Sequence, residues 1–194
     1  MATYFQTTPR NYADVTITDQ GINTEEFLQA TEGLIKIFDL FGSVFSVVQN
    51  DMNGNVKKIR ERFLQNPAAN STLQNLVNGE IAEKKKTATE GLLWLTRGLD
   101  FTLQSLERSE ANPNEELSVS FTKGYENTLR QYHGMLVRPV FAMAMKACPY
   151  RDVFYTKLGA DQSLVQQDLS AYLNGLRKVV TDIQTFYAAN KLDK

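Results

Sequence analysis

The sequence has little of the residue chemistry on which many protein classes depend. Its 194 residues include one cysteine and one histidine. The lone Cys148 excludes an internal disulfide framework and fits a reducing compartment. The lone His133 has no second histidine or paired cysteine with which to share a metal ion, so we predict no metal site. Glycine-rich phosphate loops are missing, which argues against nucleotide binding.

Net charge and long apolar runs are also scarce. The formal net charge is -1, and no basic stripe with interleaved aromatic residues is present, so we predict no nucleic-acid partner. No apolar run is long enough to span a bilayer. The first residues lack the basic segment and apolar stretch of a signal peptide. We therefore expect a cytoplasmic protein whose contact with membranes is peripheral.

Hydrophobic residues recur at intervals of three and four along most of the chain, which is typical of amphipathic helices. Strand signals are nearly absent. The periodicity predicts helices over residues 24–48, 52–65, 71–84, 87–112, 117–129, 131–147, 151–158 and 163–189. We therefore expect an all-α fold of about eight helices, with antiparallel neighbours packed in two layers.

Local signals suggest how some of these helices begin and bend. Thr87 with Glu90, and Ser163 with Gln166, form capping-box patterns at the start of two helices. Pro139 lies inside the sixth predicted helix. Because proline has no backbone N–H, we expect a kink or a local break there.

The N-terminal region has a different composition from the rest of the chain. Residues 1–22 are polar and are interrupted by Pro9 and Gly21. We interpret them as an extended arm of a single domain that comprises residues 1–194.

A polar set follows the first predicted helix. On a helix, Asp51, Asn55 and Lys58 fall at i, i+4 and i+7 and share one face. An acceptor, an amide and a cation suit a neutral ligand rich in hydroxyls, such as a sugar. The start of a calcium loop is excluded, because Val56 and Arg62 stand where glycine and glutamate are required. From spacing alone, a capping aspartate on a solvated polar face remains the alternative.

The single tryptophan and the single histidine each have two interpretations. Trp94 could stack on the apolar face of a sugar ring, or it could be a core residue of a leucine-rich helix. His133 could donate one hydrogen bond to a ligand carbonyl, or it could be structural. No nucleophile elbow accompanies the histidine, so we predict no catalytic residue.

The sixth predicted helix is apolar nearly all round. Its cations are Arg138 and Lys146, and most of its other residues are aliphatic, methionine or phenylalanine. Such a helix could wall a pocket for acyl chains and face a membrane with its other side. A central helix buried on most sides is the alternative.

Four motifs, taken together, resemble the glycolipid transfer protein family, and its fungal members most of all. They are Asp51-x-x-x-Asn55-x-x-Lys58, Trp-Leu-x-Arg-Gly-Leu from Trp94 to Leu99, Tyr-His-Gly from Tyr132 to Gly134, and Ala-Cys-Pro-Tyr from Ala147 to Tyr150. The resemblance extends over about residues 24–189. It implies a monomeric, two-layer helical protein without a cofactor, which carries a glycosphingolipid such as glucosylceramide, galactosylceramide or lactosylceramide between membranes.

The resemblance also implies a role for each polar residue. Asp51 would accept from the ceramide amide N–H and from a sugar hydroxyl, and Asn55 and Lys58 would bind further hydroxyls. Trp94 would stack on the first sugar, and His133 would donate to the amide carbonyl. The branch of the family that carries ceramide-1-phosphate has arginine at the position of Trp94, so this chain resembles the glycolipid branch.

The lipid chains would enter a tunnel between the two layers. The residues expected to line this tunnel are Phe38, Phe45, Val48, Phe101, Leu129, Val137, Phe141 and Ala144.

Two departures from the family pattern affect the expected surface. Animal members carry a second tryptophan where this chain has Met135. Membrane docking is therefore expected to depend on Met135, Pro139, Met143, Lys146 and Tyr150.

The second departure is at the C-terminus. No residue after Tyr187 clearly matches a tyrosine that contacts sugar in some relatives. We expect residues 190–194 to leave the headgroup site more open.

Two other functions remain possible on the sequence alone. A sensor, or a membrane-responsive interaction module, would need the same pocket as a carrier. A sphingolipid hydrolase is disfavoured, because no nucleophile–base pair or metal cluster is visible in the sequence.

Overall fold

The computed structural model describes residues 2–194 and is almost entirely helical. Within this range the α-helices are α1 (Tyr4–Thr7), α2 (Thr24–Ile35), α3 (Ser46–Gln65), α4 (Leu73–Ala82), α5 (Thr87–Ala111), α6 (Leu117–Asn127), α7 (Arg138–Lys146), α8 (Arg151–Leu158) and α9 (Gln162–Ala189). Short 3₁₀ segments cover Tyr12–Asp14, Lys36–Phe41, Ser43–Phe45 and Leu129–Tyr132. The strands β1 (Ile17–Thr18) and β2 (Gly21–Ile22) form one antiparallel hairpin, with Ile17 opposite Ile22. The predicted all-α class is confirmed.

Helix α5 is the element around which the others pack. It contacts α3, α4, α6 and α9. Two glycines on its α3 side allow a close approach: a Cβ at Gly91 would lie 3.3 Å from Cβ of Lys58, and one at Gly98 would lie 3.4 Å from Cγ of Met52. The polar face of α3 is therefore held beside Trp94 of α5.

The first predicted helix is interrupted in the structure. α2 ends at Ile35, and two 3₁₀ segments follow, one on either side of Gly42. Gly42 has a φ of 84°, a conformation that residues with a side chain rarely adopt. α3 then begins at Ser46, so the predicted start at residue 52 is wrong. Asp51 lies inside the helix, and its interpretation as a capping residue is wrong as well.

The N-terminal segment is not the extended arm that the sequence predicts. It contains α1, a 3₁₀ turn and the hairpin, and its Phe5 and Tyr12 are buried. Oη of Tyr12 lies 2.9 Å from Oγ1 of Thr31 in α2. Gly175 of α9 leaves room for the segment, because a Cβ there would lie 2.5 Å from the backbone nitrogen of Ala13. The segment is therefore part of the packed core.

Neither predicted capping box is formed. In each case a carboxylate from outside the box caps the helix. At the start of α5, the carboxylate of Glu80 in α4 accepts from the backbone nitrogens of Ala88 and Thr89 at 2.9 and 2.6 Å. At the start of α9, the carboxylate of Asp161 accepts from the backbone nitrogen of Ser163 at 3.1 Å. The first of these caps also fixes α4 against α5.

The sixth predicted helix breaks rather than kinks. A 3₁₀ segment ends at Tyr132, a turn follows, and α7 starts at Arg138 with Pro139 in its first turn. Proline is tolerated there because the first N–H groups of a helix have no partner within it. The turn carries His133 to the cavity described below.

Candidate functional site

A cavity of about 350 Å³ lies where α3, α5, the Tyr132–Gly134 turn and α7 meet. All five residues that the sequence predicts for the headgroup and amide line it, namely Asp51, Asn55, Lys58, Trp94 and His133. Tyr132, Gly134, Val137 and Phe141 complete the lining. The structure thus brings these five residues together from three separate parts of the chain.

The polar face of α3 is ordered by its own hydrogen bonds. Nδ2 of Asn55 donates to the backbone oxygen of Asp51 at 3.1 Å, and Nζ of Lys58 donates to Oδ1 of Asn55 at 3.3 Å. Asn55 is buried, whereas Asp51 and Lys58 are exposed. Among residues 2–194, no hydrogen-bond or ion-pair partner contacts the Asp51 carboxylate. That carboxylate is therefore available to accept from a ligand.

The charge of Asp51 is set by two opposing effects. Partial desolvation by the surrounding atoms raises its pKa, and the positive charge of Lys58 acts in the opposite direction. An ionised acceptor and a cation thus stand on the same wall of the cavity. This combination suits hydroxyl and amide groups.

Trp94 is half-buried, so it is neither an ordinary core residue nor a free surface residue. Its ring lies nearly parallel to that of His133, with centroids 6.0 Å apart, and meets the ring of Tyr132 edge-on at 6.4 Å. The guanidinium of Arg97 lies 3.6 Å from the Tyr132 ring centroid and 4.8 Å from that of Trp94. Arg97 also donates to the backbone oxygen of Asp193 at 3.3 Å. These contacts hold the indole at the edge of the cavity.

His133 is buried among aromatic rings. Its centroid lies 4.4 Å from that of Phe141, and its Nδ1 is 3.1 Å from Oη of Tyr125. Its backbone oxygen accepts from Nε of Arg138 at 2.8 Å. Burial lowers the pKa of the imidazole, and the charge of Arg138 lowers it further, so the ring is neutral at pH 7.

Tyr125 and Arg138 are neighbours of His133 that the sequence did not reveal. Tyr125 lies in α6, eight residues before His133, and reads as an ordinary core aromatic. In the sequence, Arg138 is recognisable only as a cation of an otherwise apolar helix, and no pattern links it to the histidine. Nothing in the sequence pattern marks either residue as a partner of His133, because the link depends on the turn between the 3₁₀ segment and α7.

The residues expected to line the tunnel are mostly buried in the hydrophobic core. Those at 5% exposure or less are Phe38, Phe45, Val48, Phe101, Leu129, Phe141 and Ala144. Val137 is 40% exposed and lies at the cavity. The rings of Phe38 and Phe45 stack with centroids 5.5 Å apart, and that of Phe41 lies 4.7 Å from Phe45. These aromatic rings pack against one another within the hydrophobic core.

An exposed apolar surface adjoins the cavity; we call it the apolar rim. It consists of Met135, Leu136, Val140, Met143 and Tyr150, which follow His133 or lie on or just after α7. The residues predicted for docking are all exposed, including Pro139 and Lys146. The prediction omitted Leu136, which is 91% exposed and more so than Met135 at 85%.

Residues 2–194 contain no group of three or more histidine, cysteine, aspartate or glutamate side chains placed to hold a metal ion. In the same range, no helix is both long enough and apolar enough to cross a membrane.

Comparison with known proteins gives consistent matches. A family model described as Glycolipid transfer protein matches residues 22–160. A protein of Aureobasidium melanogenum named Glycolipid transfer protein is 46% identical over 190 residues, which cover 97% of this chain and 94% of that protein.

Solved structures agree with the sequence matches. The crystal structure of HET-C2, described as a fungal glycolipid transfer protein, has a TM-score of 0.92 at 45% identity and covers 96% of this chain and 97% of its own. A structure of FAPP2, described as selecting simple glycosphingolipids with the same fold, has a TM-score of 0.92 at 32% identity and covers 99% and 98%. The predicted fold is thereby confirmed.

Proposed function

This chain belongs to the glycolipid transfer protein family, and on that premise we propose that it binds glycosphingolipids and transfers them between membranes without vesicles. The observation that carries the proposal is the assembly of Asp51, Asn55, Lys58, Trp94 and His133 around one cavity. The relatives reported above are named or described as glycolipid transfer proteins or as selecting glycosphingolipids.

The sugar is recognised by an aromatic wall and a polar wall. The half-buried indole of Trp94 offers its ring to the axial C–H bonds of a sugar. On the facing helix, Asp51 accepts from hydroxyls, and the amide of Asn55 and the ammonium of Lys58 supply donors. Glucosylceramide, galactosylceramide and lactosylceramide are candidate ligands because each presents a neutral sugar to such a pair of walls.

The ceramide amide is recognised by a donor–acceptor pair. Asp51 accepts from the amide N–H, and His133 donates to the amide carbonyl. A glycerolipid has no N–H at this position, so it would leave the Asp51 carboxylate without a partner. An unpaired charged group in a closed complex is costly, and this cost selects sphingolipids.

The lipid chains contribute affinity rather than selectivity. Each buried methylene gains about 0.8 kcal/mol, but the bilayer offers the same gain, so the terms nearly cancel on exchange. For a chain to enter, the packed rings of Phe38, Phe41 and Phe45 must move apart. Selection among lipids therefore falls to the polar groups at the cavity.

The apolar rim provides the contact with the membrane. Its side chains are aliphatic, thioether and phenolic, and Lys146 adds a positive charge beside them. Such a surface enters the headgroup region without spanning the bilayer. Since the rim adjoins the cavity, a docked protein would present the binding site to the lipid surface.

The family is one of lipid carriers, and we propose that this chain likewise catalyses no reaction and works in the cytoplasm as a monomer. A sensor that binds the same lipid without transporting it is the alternative. Release of free sugar from bound glycolipid would instead indicate a hydrolase.

Transfer between vesicles tests the proposal. Donor vesicles contain fluorescent glucosylceramide and a quencher that does not exchange, and acceptor vesicles contain neither label. We expect the protein to accelerate the rise in emission for glucosylceramide, galactosylceramide or lactosylceramide but not for labelled phosphatidylcholine. Tight binding without transfer would indicate a sensor rather than a carrier. Equal transfer of phosphatidylcholine would contradict the proposed selectivity.

A further inference from the structure

We propose that Tyr125 fixes the tautomer of His133, so that Nδ1 accepts from the tyrosine hydroxyl and Nε2 carries the proton that is donated into the cavity. Tyr125 would thus be a positioning residue, which acts on the ligand through the histidine. The inference rests on the proposed function for the identity of the ligand group, a lipid amide carbonyl.

The hydrogen-bonding options of the pair are limited. Oη of Tyr125 lies 3.1 Å from Nδ1 of His133, and Tyr125 is 3% exposed. Within residues 2–194 the hydroxyl has no other hydrogen-bond partner. A neutral imidazole carries a proton on one nitrogen and a lone pair on the other.

Only one of the two tautomers satisfies both residues. If Nδ1 carried the proton, the Tyr125 hydroxyl would have to accept it, and the hydroxyl hydrogen would be buried without an acceptor. A buried donor without a partner is strongly unfavourable. If the hydroxyl donates to Nδ1 instead, both of these atoms are satisfied, and Nε2 bears the N–H that is left for a ligand.

The surroundings hold the ring in this orientation. The imidazole packs against Phe141 and lies parallel to Trp94, and Arg138 fixes the backbone through the oxygen of His133. Nε2 has no hydrogen-bond partner in the described part of the chain, and His133 lines the cavity. A ring flip would put Cδ2 in the place of Nδ1 and break the hydrogen bond to Tyr125.

The charge state of the histidine agrees with this arrangement. Burial and the nearby Arg138 both lower the pKa of His133. A neutral ring keeps the lone pair on Nδ1 that the tyrosine hydroxyl requires. A protonated ring would carry hydrogens on both nitrogens and would leave the hydroxyl hydrogen without an acceptor.

A purely structural role for Tyr125 predicts a different result. Its ring stacks on Phe141 at 5.6 Å and meets Phe101 edge-on at 6.5 Å, and phenylalanine would preserve both contacts. Tyr125→Phe therefore removes the hydroxyl alone. Tyr12→Phe is a matched control, because Tyr12 is also buried and its hydroxyl also has one side-chain partner, Thr31.

The tautomer can be measured directly in the unaltered protein. His133 is the only histidine, so a long-range ¹H–¹⁵N correlation spectrum of labelled protein shows the two nitrogens of this one ring. We expect the pattern of the Nε2–H tautomer at pH 7 without lipid. The Nδ1–H pattern, or an even mixture, would overturn the inference without the use of any variant.

The two variants then test the role of Tyr125. Tyr125→Phe should raise the share of the Nδ1–H tautomer and should bind glucosylceramide about 3- to 10-fold more weakly, whereas Tyr12→Phe should change neither. An unchanged tautomer in Tyr125→Phe would also overturn the inference. Failure of the unaltered protein to bind glucosylceramide would overturn the proposed function instead, and this measurement is separate from the spectrum.

Discussion

The indole of Trp94 and the imidazole of His133 lie nearly parallel, with an angle of 19° between their planes and 6.0 Å between their centroids. One ring belongs to α5 and the other to the turn before α7, so the contact joins two walls of the cavity. In the proposed complex these rings serve adjacent parts of one lipid, the first sugar and the amide. The stack therefore sets the distance between sugar recognition and amide recognition.

Removal of the indole should abolish most of the transfer. We expect Trp94→Ala to lower glucosylceramide transfer about tenfold or more, because both the stacking and the buried apolar area are lost. Trp94→Phe should retain part of the activity. Since Trp94 is only half-buried, circular dichroism and the melting temperature should change little. If folded Trp94→Ala protein transferred glucosylceramide at the normal rate, the assignment of Trp94 to the site would be contradicted.

The Asp51 carboxylate can be tested against a charge-matched control. We expect Asp51→Asn to weaken glucosylceramide binding about tenfold, because hydrogen bonds to an ionised acceptor are stronger than those to an amide. Asp19→Asn removes the same charge at the exposed turn of the hairpin and should bind normally. Equal affinity of the two variants in a vesicle titration would contradict the assignment of Asp51.

Acid should also weaken binding through Asp51. Its acceptor role requires the ionised form, and partial desolvation by surrounding atoms raises its pKa above the ordinary 3.8, whereas the charge of Lys58 acts in the opposite direction. As the pH falls, Asp51 should therefore become protonated before an unperturbed aspartate does, and affinity should fall with it. Asp51→Asn should show a flatter dependence over the same acidic range. Parallel pH profiles for the two proteins would show that another group is responsible.

Leu136 is the most exposed residue of the apolar rim, so we expect it to contribute to vesicle binding. Leu136→Ser should reduce sedimentation with vesicles several-fold, as expected if a leucine side chain that gains about 1.5–3 kcal/mol on full burial enters the bilayer only in part. Leu64→Ser is the control, because Leu64 is 62% exposed at the end of α3. If both variants lose binding equally, general surface hydrophobicity rather than the rim is responsible.

The ion pair between Arg62 and Glu83 should make the free energy of unfolding depend on pH in the acidic range. Nη2 of Arg62 lies 2.8 Å from Oε1 of Glu83, and the hydrogen bonds from Arg62 and Lys85 lower the pKa of Glu83 from 4.5 to about 2. A lowered pKa in the folded state stabilises the protein above pH 4.5, and this contribution is lost as the pH falls towards 2.

The measurement compares unfolding free energies of the unaltered protein and Glu83→Gln across that pH range. The advantage of the unaltered protein should shrink as the pH falls. Arg62→Met in both backgrounds completes a double-mutant cycle that isolates the pair. A constant difference between the two proteins would show that the pair does not titrate as expected.

Several elements and the polar face of α3 could be predicted because their signals are local. The leucine pattern of α5 and the span of α8 agree closely with the structure. The face of Asp51, Asn55 and Lys58 follows from helical spacing wherever the helix begins. Their relation to Trp94 and His133 came from the family resemblance, since periodicity cannot relate separate helices.

Most features that could not be predicted depend on contacts between distant parts of the chain. Gly42 indicated a bend in the first predicted helix but not the two 3₁₀ segments beside it, because 3₁₀ and α-helical turns repeat apolar residues at similar intervals. Glu80 caps α5 from another helix, and no local motif can reveal such a cap. The docking of Tyr12 depends on the space that Gly175 leaves in α9. The bond from Tyr125 to His133 depends likewise on how α6 and the turn before α7 are juxtaposed.

In the proposed complex, the stacked phenylalanines of the core should also determine the heat capacity of lipid uptake. The rings of Phe38 and Phe45 are fully buried, so lipid chains that separate them would remove almost no further protein surface from water. The chains themselves leave one anhydrous environment, the bilayer, for another. Because changes in heat capacity follow changes in hydrated apolar area, the exchange of a lipid between a membrane and this core should have a heat-capacity change close to zero. The enthalpy of that exchange should consequently be nearly constant with temperature.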